Sequence, residues 1–96
     1  MSDDAITRDV EGSRGRYVLD RGGHLASLTY SILSSQTVIA DHTDVPEALR
    51  GSGAGLALVE RLVSDARAEG FRIVPLCPFV NAERRKHPEW ADAFNV

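Results

Sequence analysis

Residues 50–55 read R-G-S-G-A-G, and the run L-A-L-V-E-R-L-V-S-D-A-R follows at once. Glycines disfavour a helix interior, yet here they open the most helix-like segment of the chain. The first N–H groups of a helix lack intrahelical partners, and the helix dipole is positive at that end. Gly51, Ser52, Gly53, Ala54 and Gly55 are therefore candidates for a phosphate or diphosphate cradle, with Arg50 as a cation beside it. Leu56 and Ala57 stand where a P-loop carries lysine and serine or threonine, and the spacing is G-x-G-x-G rather than the dinucleotide fingerprint G-x-G-x-x-G. The alternative is a turn that only allows two elements to pack closely.

Three other side chains could do chemistry. His42 falls just before the loop that leads to the glycines, and an imidazole can pass a proton in either direction. Cys77 lies between Leu76 and Pro78. As a nucleophile or proton donor it needs a nearby cation or helix N-terminus, which a helix beginning near Phe79 would supply. Otherwise it is a small buried hydrophobe. His87 precedes Pro88 and suits a helix start. The spacing of His42, Cys77 and His87 matches no zinc pattern, so no metal is expected. The basic cluster R-R-K at 84–86 reads as a solvated face or as an attractor of anions.

These residues need elements to hold them. Residues 5–10, 15–20, 24–33 and 36–42 are short runs rich in β-branched, leucine and tyrosine residues. In H-L-A-S-L-T-Y-S-I-L, Ala26, Leu28, Tyr30 and Ile32 alternate with Ser27, Thr29 and Ser31, the period of a half-buried strand. Short glycine and serine turns between the runs predict an antiparallel meander of three or four strands. From Gly53 the period becomes helical, with Leu56, Val59, Leu62, Val63 and Ala66 on one face and Gly70 as a left-handed stop. F-R-I-V-P-L-C is a short strand, and Pro75 places it at an edge or at a break in pairing. The chain is helical again beyond Pro78, and H-P-E-W-A-D-A-F predicts a last helix with Pro88 at its first position and Trp90 and Phe94 packing back. The order β-β-β-β-α-β-α predicts an α/β (α+β) fold with a mixed sheet, closed by a right-handed crossover.

Composition narrows the function. The chain has 96 residues, 43% of them hydrophobic and 26% charged, as in an ordinary globular protein of one domain spanning 1–96. A formal net charge of −3 argues against nucleic-acid binding. No apolar run is long enough to span a bilayer, and the acidic start M-S-D-D-A-I-T has no signal core. A lone cysteine fits a reducing, cytoplasmic setting.

R-G-S-G-A-G also fits the Arg/Gln-x-x-Gly-x-Gly/Ala signature of the GNAT superfamily of N-acetyltransferases. With H-T-D-V-P at 42–46, A-R-A-E-G at 66–70, I-V-P-L-C-P-F-V at 73–80 and H-P-E-W at 87–90, the chain resembles its very small, single-domain YjdJ-type branch. The resemblance implies acetyl-CoA as co-substrate and acetyl transfer to an amine. It places the cradle at Arg50 through Gly55, the pantetheine arm beside Val45, and a polar contact to coenzyme A at Asn81. Cys77 and His42 remain the catalytic candidates, His42 partly on the family motif and Cys77 placed beside the thioester in preference to covalent attack. The branch often has tyrosine where this chain has Glu83, which leaves the usual acid in doubt. A second possibility is a module that binds coenzyme A or an acyl-CoA with little turnover. Either way, the partners expected are acetyl-CoA and an unidentified amine, with the chain a monomer or weak homodimer.

Overall fold

In a computed structural model that describes residues 5–96, the first half forms four strands: β1 (Ala5–Glu11), β2 (Arg14–Arg21), β3 (His24–Ser34) and β4 (Thr37–Asp44). Each pairs antiparallel with the next through a two-residue turn, as alternation and the turn residues predict. A 3₁₀ turn (Glu47–Leu49) and the glycine loop lead to α1 (Ala54–Glu69), which crosses to β5 (Arg72–Val74), parallel to β4. The sheet order is β1-β2-β3-β4-β5. α2 (Pro78–Lys86) and a 3₁₀ helix (Pro88–Ala93) complete the chain. The last helical segment thus divides in two, because Pro88 cannot donate the amide that would continue α2.

One face of the sheet is dry. Tyr17, Leu19, Ala26, Leu28, Tyr30 and Ala40 are fully buried there against Leu58, Val59, Leu62 and Val63 of α1. Trp90 and Phe94 also join this core. Leu58 replaces Leu56 on the buried face. Leu56, the third residue of α1, is half-buried. The helix stops at Gly70 with φ 80°, and the Gly70 amide donates to the Ala66 carbonyl.

Polar contacts set the pose of α1. Tyr17 Oη donates to Asp65 Oδ2 at 2.7 Å, and Arg61 Nε reaches the same carboxylate at 3.2 Å. Arg8 of β1 donates to Tyr30 Oη at 2.9 Å and forms an ion pair with Glu69. Two strands are thereby tied to the C-terminal half of the helix, which leaves its N-terminus beside the end of β4.

The β3–β4 ladder contains a bulge. Thr29 pairs with His42, but Tyr30 pairs with Ala40, so Asp41 is an extra residue. Opposed residues share a face, so Thr43 follows Leu28 onto the helix-covered side while His42 follows Thr29 onto the other. Without the bulge the two would exchange faces.

β5 is short because Pro75 ends the pairing after Val74. The Cys77 amide donates to the Ala40 carbonyl at 2.8 Å, and from there β4 runs on to Asp44 with β3 on one side and no strand on the other. The outer side of β5 is partly covered by the chain end: Phe94 bridges Ile73, and the Asn95 amide donates to the Ile73 carbonyl at 2.8 Å. The sheet edge suggested by Pro75 is therefore partly occupied from within. No helix among the described residues is long and apolar enough to cross a membrane.

Candidate functional site

Where β4 loses its neighbour, a groove of about 650 Å³ opens between the end of β4, the start of α1 and the length of α2. Thr43 and Val45 form one wall, Leu49 to Leu56 without Ser52 the second, and Phe79, Glu83, Lys86 and His87 the third.

The second wall shows why the glycines are needed. Gly51 and Gly53 have φ of 76° and 86°, left-handed values that other residues adopt at a cost of about 1–2 kcal/mol. A Cβ at either position would meet nothing within 4 Å, so the surface over this turn is open. Gly53 is the N-cap of α1, and no side chain caps the helix. The first intrahelical bond runs from the Ala57 amide to the Gly53 carbonyl at 2.9 Å. The amides of Ala54, Gly55 and Leu56 lie ahead of it, at the positive end of a 16-residue helix. Gly55 serves another purpose: a Cβ there would lie 2.6 Å from the Phe79 ring, so it lets α2 close against α1.

Arg50 is exposed and lines the groove beside this turn, and Lys86 faces it from α2. Ser52 is not part of the wall. Its hydroxyl donates to the Leu49 carbonyl, and its own carbonyl accepts from Arg21 Nη1 at 2.8 Å, which pins the turn to the end of β2. A large anion fits this arrangement of uncapped amides, open glycines and flanking cations.

Cys77 and His42 stand apart. Cys77 is 3% exposed and occupies the N-cap position of α2 without a side-chain cap bond, with Sγ 3.4 Å from Thr43 Oγ1. Thr43 reaches the groove and Cys77 lies behind it. His42 is exposed on the opposite face of β4. The structure therefore does not gather the two into one site. Asn81 accepts from Arg84 Nε at 2.8 Å and does not line the groove.

The third wall holds residues that sequence reasoning did not group. Phe79, Glu83, Lys86 and His87 recur at helical spacing from the Pro78 start, so one stripe faces the groove. Glu83 is 9% exposed. Its Oε2 lies 3.4 Å from Lys86 Nζ and its Oε1 3.7 Å from His87 Nε2. His87 Nδ1 lies 3.1 Å from Glu89 Oε2, and its ring stacks on Trp90 at 4.1 Å. Among the described residues no group of three or more His, Cys, Asp or Glu could hold a metal ion.

Comparison with curated proteins gives no matching relative. A family model described as GCN5-related N-acetyl-transferase matches residues 16–93, which include most of β2, all of β3 to β5, the uncapped start of α1 and every wall of the groove. The chain belongs to the GCN5-related N-acetyltransferase family.

Proposed function

We propose that this chain is an acetyl-CoA-dependent N-acetyltransferase that acylates an amine. The observation that carries the proposal is the uncapped N-terminus of α1 opening onto the groove. The amides of Ala54, Gly55 and Leu56 would hold a diphosphate, with Arg50 and Lys86 supplying charge. Val45 and Thr43 would line the path of the pantetheine arm to the unpaired edge of β4, where backbone donors can stabilise a carbonyl oxygen as it gains charge. When bound, acetyl-CoA supplies an activated acyl group and a thiolate leaving group. Thr43, hydrogen-bonded to Cys77, would orient that end of the groove, with the thiol as its buried support rather than a nucleophile. His42, across β4, is given no step. A cytoplasmic setting, where acetyl-CoA is made available, suits the proposal.

A second reading, a coenzyme A binder with little turnover, is favoured by one observation: neither Cys77 nor His42 lines the groove. Release of free thiol from acetyl-CoA separates the two. Amine-dependent release above the buffer rate supports the enzyme. Binding without amine-dependent release supports the module.

A further inference from the structure

We infer that Thr43 sets the longest acyl group this groove accepts, so that a two-carbon acyl donor is bound in preference to longer ones. The inference deepens the cofactor reading above and rests on it. The groove has two unlike ends. At one, the amides of Ala54, Gly55 and Leu56 and the side chain of Arg50 offer positive charge. At the other, the β4 wall stops at Thr43. A ligand whose diphosphate occupies the first end directs the far end of its arm, the acylated sulfur, toward the second.

The surroundings of Thr43 leave little room for more atoms. Leu28, opposite it on β3, and Ala40, further back along β4 on the same covered face, are fully buried. Cys77 stands behind it, 3% exposed and not part of the groove lining. The Cys77 backbone is held from both sides. Its amide donates to the Ala40 carbonyl at 2.8 Å, and its carbonyl accepts from the Asn81 amide at 2.9 Å. The sulfur therefore cannot withdraw without breaking a bond to β4 or the first turn of α2.

Thr43 itself is half-buried, and its Oγ1 lies 3.4 Å from Cys77 Sγ. A β-branched side chain is stiff about χ1, so engaging the hydroxyl fixes the methyl as well. A packed wall of this kind resists an added methylene, which must push side chains off their rotamers. Thr43 is thus a specificity residue that acts by volume, and its hydrogen bond to the thiol holds that volume in place.

The test measures the dissociation constants of coenzyme A, acetyl-CoA, propionyl-CoA and butyryl-CoA by calorimetry, on the wild type, Thr43→Ala and Thr43→Val. The wild type should bind butyryl-CoA at least about 10-fold more weakly than acetyl-CoA, the low end of what one methylene is worth in a fitted pocket. Thr43→Ala removes two heavy atoms and should bind propionyl-CoA as tightly as acetyl-CoA. Thr43→Val keeps the branched shape and should keep the wild-type order. Thr43→Ser, which loses only the methyl and retains a hydroxyl for Cys77, should also admit propionyl-CoA, and serves if the alanine variant melts early. Equal affinity of the wild type for acetyl-CoA and butyryl-CoA overturns the inference. So does a wild-type order in both the alanine and serine variants, or a valine variant that behaves like alanine. If coenzyme A itself binds in those cases, the cofactor site stands and only the role of Thr43 falls. Absence of heat with coenzyme A removes both.

Discussion

Gly53 and Gly55 lie two residues apart and do different work. Gly53 is left-handed with open space above it, so Gly53→Glu should keep the helix while placing a carboxylate where an anion would sit. Helical circular dichroism should change little, and coenzyme A binding should fall below detection by calorimetry. Gly55 is defined by the Phe79 ring, and Gly55→Ala should cost about 1–3 kcal/mol by overpacking. Much of that loss should return in Gly55→Ala with Phe79→Leu, a coupling read from chemical denaturation. The sequence distinguishes the two glycines poorly, because close approach by Phe79 is a tertiary fact. Leu56 and Glu83 were obscure for a related reason: both sit on faces whose exposure is set by the groove rather than by local periodicity.

Among the elements, the meander and α1 were legible because their periods of 2 and 3.6 are local signals. The bulge at Asp41 was not, since one inserted residue leaves no compositional trace while moving His42 and Thr43 to opposite faces. The wall formed by α2 was hidden by its composition, because a nine-residue helix carrying R-R-K reads as solvated, while the stripe of Phe79, Glu83 and the C-cap His87 is defined only by packing against α1. The union of β2 with α1 makes a pH prediction. Burial, and then the hydrogen bond to Asp65, push the Tyr17 phenol well above its ordinary value of 10. The folded chain keeps that proton where the unfolded chain releases it, so the stability is whole below about pH 10 and declines as pH rises beyond it. Tyr17→Phe should lose about 1–2 kcal/mol at neutral pH and show a flatter decline in alkali, measured by urea denaturation.

The molecule as a whole is a sheet covered on one face, with its groove placed where the parallel pairing of β4 and β5 gives out. That layout follows from the order of elements read in the sequence, whereas the depth and walls of the groove depend on how α2 returns across the start of α1. Removing residues 94–96 should uncover β5, lower the melting temperature and promote self-association seen by light scattering, because an uncapped edge strand invites pairing. Coenzyme A at about 100 times its dissociation constant should stabilise the fold by about 2.7 kcal/mol, which for a chain of this size is a rise on the order of 10 °C.

The amide spectrum of nitrogen-15-labelled protein, titrated with coenzyme A, examines the anion site residue by residue. The amides of Ala54, Gly55 and Leu56 should move most and saturate together, with smaller shifts at Gly51 and Gly53. A spectrum that stays unchanged at high ligand concentration, or one whose largest shifts lie away from the start of α1, would contradict a diphosphate held there.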